Sequence, residues 1–599
     1  MTRAEHAVDA DGWTIPRLLR RNATEFPDHP ALTSGIEPGA ETFTWSRLRQ
    51  EVAAAATGLA ELGLRRGDRM LIAMSKRPEH WIADLAATHL GALPCTTYDT
   101  LSPEQIAFIA RHSAATVVVL EGAEQLERWR DALDRMPHLR GAVVVEPGLA
   151  PADPRFVEFA QLRGKPVSGF EELTDAASPD DPLTVVYTSG TTGDPKGVVL
   201  SHRNAIHESL MQDSLMPMPE HPRSVSYLPM AHIAERVLGI YMPLCNAGHV
   251  TICADQAQLL PTLTAVRPHG FFGVPRVWEK MAAGLRARLE ALSDEDRVQV
   301  ERASEAALEV FRLRAAGEAV PAELAERHER LDAAVLRPIR AAIGLDDCHR
   351  TFSGAAPVPD EVVEFLAGLG IPVYEVWGLS ETTGAATVST PDAFALGAVG
   401  RPAPGVEVRT AEDGELLVRG AVVFLGYLTA DGGVEPATDG GWFPTGDVGH
   451  VDERGIVHVT DRKKELIITA GGKNIAPTRI ESLLRAHPLI GQAAAIGDNR
   501  PYVTALIVLD EEAAPAWARA RGITAGTAAE LARDPQVLAE VAEAVDRANK
   551  SLARVEQVKR HRVLDTTWSP ETGELTPKLS LRRTVIAETH AREIDELYA

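Results

Sequence analysis

Residues 187–202 read YTSGTTGDPKGVVLSH, a polar bend rich in glycine and hydroxyls, set between apolar runs that predict two strands. An ordinary connection needs about two to six residues, so a bend this long and permissive does more than turn the chain. Successive backbone N–H groups in such a bend, with hydroxyls and one ammonium beside them, make a nest for a polyphosphate. A Walker A loop is excluded. Pro195 stands where that pattern needs its second glycine, and Gly197 follows Lys196 where Ser or Thr belongs. A flexible surface turn is the plain alternative, and the length of the bend weighs against it.

On either side of the bend the chain alternates helical and strand-like patterns. WSRLRQEVAAAATGLAELGL (45–64) has helical apolar spacing, RMLIAM (69–74) reads as a buried strand, and WIADLAATHLGAL (81–93) as the next helix. AATVVVLEG (114–122) and RGAVVVEPG (140–148) are β-branched runs closed by turn residues. This alternation predicts an α/β fold with mostly parallel, helix-covered sheets. Residues 276–345, rich in Ala, Leu, Glu and Arg, predict long amphipathic helices whose acids balance their bases. From 405 to 460, stretches such as GVEVRTAEDGELLVRG, VVFLGY, GWFPTGD and GIVHVTD predict a small β-rich module. About 120 residues of mixed α+β follow, with strands at AAAIGD, VTALIVL and VKRHRVLD. The boundary is placed at 462–464, giving a large N-terminal domain (1–462) and a small C-terminal domain (463–599).

The bulk numbers agree with that division. At 599 residues the chain is too long for one core. A formal net charge of −23 argues against a nucleic-acid partner, since a phosphate backbone needs a basic face. It leaves anionic small ligands open, because these need only local donors. Four cysteines, at 95, 245, 253 and 348, show neither CxxC nor metal spacing, which fits a reducing cytoplasm. No stretch is apolar for long enough to span a bilayer. Peripheral membrane contact and a homodimer both stay open.

YTSGTTGDPKGVVLSH resembles the phosphate motif of the acyl-adenylate-forming enzymes, which include acyl-CoA synthetases, peptide-synthetase adenylation domains and luciferases. YLPMAHIAER (227–236), FSGAAP (352–357), YEVWGLSETTG (374–384), WFPTGDVGHVDERG (442–455) and DRKKELIITAGGKNIAPTRIE (461–481) match that family in order. FFGVPRVWEK, SGAAPVP and ITAGGKNIAP are most similar to the long-chain fatty acyl-CoA synthetase branch. The resemblance implies two half-reactions. A carboxylate attacks the α-phosphate of ATP to give acyl-AMP and pyrophosphate, then the thiol of CoA displaces AMP. ATP, Mg²⁺ and CoA are the implied cofactor and co-substrates.

By resemblance, Thr188, Ser189, Gly190, Thr191, Thr192, Gly193 and Lys196 cradle the β- and γ-phosphates, and Thr191 and Glu381 hold Mg²⁺. A hydroxyl and a carboxylate are the hard oxygen donors that this ion takes alongside phosphate. Trp377 stands where the family often has Tyr and would stack on adenine, with a buried core Trp as the competing reading. Gly378 and Ser380 flank it, and Gly354, Ala355 and Ala356 would form the opposite wall. Asp447 resembles the carboxylate that accepts both ribose hydroxyls, and Arg462 would also contact ribose or phosphate. His232 would lie near the acyl carboxylate or pyrophosphate, though a lone His in apolar surroundings is more often structural. Lys464 corresponds to the pivot of the C-terminal domain, and Gly471 and Gly472 to a loop on the CoA side. The segment GELTPKLSLRR (573–583) departs from the pattern, because Ser580 occupies the place of the family's adenylation lysine. Lys578, on the same face if the segment is extended, is taken for that role. Two other readings share these motifs: an acyl-AMP ligase or carboxylate synthetase that loads a carrier protein, and a non-catalytic acyl- or nucleotide-binding protein.

Overall fold

In the computed structural model the described residues are 10–165, 168–188, 194–470, 473–523, 527–576 and 580–599. Ser189, Gly190, Thr191, Thr192, Gly193, Gly471, Gly472 and Lys578, to which the sequence assigns roles, lie outside the described residues.

The expected alternation produces a wholly parallel five-stranded sheet. Its order is Leu93–Thr96, Arg69–Ala73, Val117–Leu120, Gly141–Val144 and Phe156–Glu158. Its central strands are buried on both faces, as a parallel sheet under helices requires. A second sheet runs Arg223–Ser226, His249–Ile252, Pro30–Thr33 and Thr42–Thr44, with only the last strand antiparallel. The polar bend joins Pro182–Thr188 to Lys196–Ser201 as an antiparallel hairpin, in register Thr188 to Lys196. Helix His202–Leu215 follows at once, its N-terminus closed by a Ser201–Asn204 capping box.

A third parallel set, Gly270–Gly273, Arg350–Ser353 and Tyr374–Leu379, ends in antiparallel Gly384–Val388 and Arg401–Pro402. Between the first two of these strands run the helices Pro275–Glu290, Asp294–Ala316 and Ala322–Leu331, where the composition places long amphipathic helices. Among the described residues no helix is long and apolar enough to cross a membrane.

Val406–Thr410, Glu415–Gly420, Phe443–Val451 and Val457–Arg462 form the antiparallel β module. One stretch leaves it. VVFLGY reads from its apolar pattern as part of this module, but Gly426–Leu428 pairs with Lys196–Ser201, with Tyr427 opposite Val198. Beyond it, Ile490–Ile496, Thr504–Leu509 and Arg560–Leu564 form a separate three-stranded sheet. Two apolar clusters built only from residues after 466 pack around this sheet.

Candidate active site

The carboxyl ends of the parallel strands Arg350–Ser353 and Tyr374–Leu379 open into the turns that carry Gly354–Ala356 and Gly378–Glu381. Ligands of open α/β sheets bind at such ends. Ala355 takes φ 73°, a left-handed conformation that costs a non-glycine residue energy and gathers at functional turns. A Cβ on Gly354 would meet the Val376 side chain and carbonyl oxygen at 3.0 Å, so the turn lies flat on the neighbouring strand. Glu375 ties the far side, its Oε1 accepting from the Val358 amide at 2.9 Å. At Gly378 a Cβ would overlap the Gly384 carbonyl, and only glycine fits at this irregularity in the antiparallel pairing with Gly384–Val388. Ser380 is buried beside it.

The turn and the β module meet at Asp447. The Trp377 indole N–H donates to Asp447 Oδ2 at 2.7 Å, and Arg462 Nε lies 3.0 Å from Oδ1. Arg462 faces Asp447 directly across the Phe443–Val451 and Val457–Arg462 ladder. Burial pushes the Asp447 carboxyl up, while Arg462 and the Trp377 N–H hold it down. Each oxygen has one partner, and a carboxylate offers about four acceptor sites, so it can still take two hydroxyls. Trp377 itself is buried in an apolar cluster with Phe352, Tyr374 and Ala386.

A second group surrounds the hairpin that carries the polar bend. The Lys196 ammonium stands 4.6 Å from the centre of the Tyr427 ring, and the Tyr427 hydroxyl donates to Glu381 Oε1 at 2.9 Å. Burial and then the Glu381 charge push the phenol up, so it remains a donor. The Phe424 amide donates to the Glu381 carbonyl at 2.9 Å, and the Phe424 ring packs on Tyr427. Glu381 is thus held by side chain and backbone from one short segment. Its carboxylate is half-buried, a hard oxygen donor of the kind Mg²⁺ takes. Thr188 closes the base of the hairpin, its hydroxyl 3.5 Å from the Lys196 carbonyl. Sequence reasoning missed Tyr427, because nothing local says which sheet its strand joins.

His232 belongs to a third element. It caps helix Ile233–Arg236, Nδ1 accepting from the Ala234 amide at 3.2 Å. Arg236 anchors that helix through a fully buried pair with Asp84 at 2.8 Å, and it also donates to Tyr241 and Thr96. Breaking such a pair leaves an uncompensated buried charge and costs about 3–5 kcal/mol. The next turn, Val237–Tyr241, is π-helical, a distortion frequent at functional sites.

Helix His202–Leu215 carries a buried carboxyl that sequence reasoning also missed. Glu208 Oε1 accepts from the Ala385 amide and from Gln212, while Oε2 has no partner among the described residues. Burial pushes this carboxyl up to about 8 from an ordinary 4.5. The folded chain therefore holds a proton that the unfolded chain has lost, and stability falls as pH rises through that window. The contribution is complete below the unfolded value. Glu235 and Glu375, each pushed up to about 7 by burial, add slope of the same sign. Glu208→Gln is expected to melt with a smaller drop between about pH 5 and about pH 9 than the parent, in scans over that range.

The turn carrying Lys464 is exposed and lies between two anchored neighbours. Lys463 Nζ pairs with Asp413 and with Glu415 at 2.8 Å in the β module, while Glu465 accepts from Arg583 at 3.1 Å. Asp461 spans the turn, accepting from the Thr478 amide at 3.0 Å and its hydroxyl at 2.9 Å.

Residues 19–428 match the family described as AMP-binding enzyme, and residues 464–599 match the AMP-binding enzyme C-terminal domain. The chain belongs to the AMP-binding enzyme family. This AMP-binding enzyme is 36% identical over 610 residues to the long-chain-fatty-acid–CoA ligase FadD15 of Mycobacterium tuberculosis, covering 98% of this chain and 97% of that one. It is 30% identical over 650 residues to the long-chain-fatty-acid–CoA ligase heimdall of Drosophila melanogaster, covering 98% and 95%. Among solved structures, the A-PCP didomain of carboxylic acid reductase from Segniliparus rugosus in complex with AMP superposes with TM-score 0.74 at 19% identity, covering 100% of this chain and 83% of that one. O-succinylbenzoate coenzyme A synthetase from Bacillus subtilis, in complex with ATP and magnesium ion, superposes with TM-score 0.67 at 20% identity, covering 95% and 98%. At those identities the likeness speaks for the fold.

Proposed function

We propose that this AMP-binding enzyme activates a fatty acid with MgATP and passes the acyl group to CoA. Near-full-length similarity to long-chain-fatty-acid–CoA ligases carries the reading. Two charged groupings support it, Lys196 and Glu381 about the Tyr427 ring and Asp447 with Arg462, and the Glu381 charge acts on Asp447. In the first half-reaction an acid oxygen bonds to the α-phosphorus as the bond to pyrophosphate breaks. In the second, the CoA sulfur bonds to the acyl carbon as the bond to AMP breaks, and the thiol proton leaves to solvent. Neither step needs a protein nucleophile, so positioning and charge neutralisation do the catalysis. Lys196 and the bend at 188–193 would bind the terminal phosphates, and Thr191 and Glu381 would take the Mg²⁺ that arrives on ATP. Asp447 and Arg462 would hold the ribose, and the turn at 354–356 would wall the purine. The unit from 463 onward would pivot at Lys464, bringing Lys578 for adenylation and the loop at Gly471 and Gly472 for thioester formation. A cytoplasmic setting is the reading that four free cysteines and these substrates support.

Purified protein given MgATP, CoA and saturated acids of rising chain length is expected to form acyl-CoA and AMP, best with long chains. Acyl transfer to carrier-protein phosphopantetheine with none to CoA would favour the carrier-loading reading. No pyrophosphate from any acid would favour a binding protein.

Trp377 lends itself to a sharper test. Trp377→Phe keeps an aromatic face but removes the donor to Asp447, a hydrogen bond to charge that contributes about 1.5–3 kcal/mol. ATP affinity is expected to fall about tenfold, and only about twofold for 2′-deoxy-ATP. The acid limb of kcat/KM for ATP is expected to move to higher pH, because Arg462 alone then opposes burial, with Asp461 and Glu381 nearby adding to the rise.

A further inference from the structure

The segment between the phosphate hairpin and the β module places one aromatic ring against two groups that need opposite treatment. Resting on the reading above, a loop lysine must keep its charge for phosphate, and a carboxylate must keep an oxygen for metal. Left adjacent, a lysine and a carboxylate pair with each other, and each must be separated again before the nucleotide can bind. Tyr427 meets both. Its π-face carries the Lys196 ammonium at 4.6 Å, and its hydroxyl bonds Glu381 Oε1 at 2.9 Å. A cation over a ring is held without being neutralised, and a phenol donor orients a carboxylate without cancelling its charge.

The placement is built into the fold. Tyr427 stands opposite Val198, two residues along the strand from Lys196, so ring and lysine are diagonal neighbours on one face of the sheet. The segment carrying the ring is pinned from several sides. Asn204 donates to the carbonyls of Ala421 and Val423, Thr383 donates to Val422, and Phe424 donates to Glu381. The Phe424 ring packs edge-on against Tyr427 at 4.9 Å. Gly426, just before it, takes φ 148°, where a Cβ would run into the Glu435 carbonyl.

We propose that Tyr427 is a positioning residue for MgATP: its hydroxyl sets Glu381 for the metal, and its ring holds Lys196 apart for the phosphates. It touches neither reacting atom, and its effect passes through those two side chains.

The test is calorimetric titration of ATP, with Mg²⁺ and with excess EDTA, into the parent, Tyr427→Phe and Tyr427→Leu. Tyr427→Phe keeps the ring packed on Phe424 and should fold, as a melting curve checks. It is expected to lose about five- to tenfold of the affinity gain that Mg²⁺ brings, while Mg²⁺-free ATP binds within about twofold of the parent. Tyr427→Leu is expected to weaken Mg²⁺-free ATP as well, by about threefold or more, because Lys196 has lost its platform. Acyl-AMP formation by Tyr427→Phe should recover partly at high Mg²⁺, a rescue that a purely structural defect would not show. If Tyr427→Phe keeps the parent's full Mg²⁺ gain, or weakens both nucleotide forms equally, the proposal is overturned. A parent protein that binds ATP with no Mg²⁺ gain, or not at all, would instead overturn the reading on which the proposal rests.

Discussion

Glu381→Ala is expected to lower acyl-AMP formation by about 10³-fold or more, the scale at which a preorganised electrostatic group on a phosphoryl transition state acts. Pyrophosphate exchange dependent on the acid measures it directly. The carboxylate is held by the Tyr427 hydroxyl and, through its own carbonyl, by the Phe424 amide. Truncation therefore removes the carboxylate oxygens without freeing the backbone that carries them. Melting should change little, since the side chain is only half-buried and Phe424 remains bonded to the main chain. The two readouts together separate a lost ligand from a lost fold. Exchange within about tenfold of the parent would remove Glu381 from the metal role. The defect should resist added Mg²⁺, in contrast to Tyr427→Phe, because no oxygen is left to orient.

Much of this site could be read before any coordinates because its parts are contiguous in sequence. YEVWGLSETTG carries Gly378, Ser380 and Glu381 within one strand and turn, and the close approach of the Gly384 carbonyl explains the glycine at 378. Strand and helix periodicity in 45–144 likewise translates into the parallel sheet, because each apolar run must bury both faces. Tyr427 escaped for the opposite reason. VVFLGY is apolar in the manner of its neighbours, and only the long-range pairing of Gly426–Leu428 with Lys196–Ser201 assigns it to the hairpin of the polar bend. Local pattern fixes a strand's faces but not its partner. Trp377 shows a subtler limit. Its ring reads from the sequence as either a stacking surface or a core residue, whereas the direction of its N–H, toward Asp447, depends on a residue 70 positions away. Glu208 is a third case. A lone acid on a helix reads as solvent-facing until the helix is packed against Gly384–Val388.

Lys464→Pro is expected to separate the two half-reactions. The residues on either side are anchored in opposite directions, Lys463 to Asp413 and Glu415 and Glu465 to Arg583, so any rotation of the C-terminal unit concentrates its dihedral change between them. Proline removes no backbone hydrogen bond, because among the described residues the Lys464 amide enters none. It does strain the resting turn, in which the Arg462 carbonyl accepts from the Glu465 and Leu466 amides, so a melting curve accompanies the test. Proline also matters in motion. The ring fixes φ near −65° and disfavours the helical region for Lys463, so an orientation that needs other angles becomes unreachable. A displacement of about 1 Å at the reacting atoms can cost about 10²-fold, and thioester formation is expected to fall by at least that much. Acid-dependent pyrophosphate exchange should stay within about fivefold of the parent, since adenylation needs one orientation rather than passage between two. Rapid quench with preformed acyl-AMP and CoA isolates the second step. The contacts of Asp461 with Thr478 bridge the same turn, and Thr478→Ala should favour rotation rather than block it. Equal losses in both half-reactions for Lys464→Pro would place the pivot elsewhere.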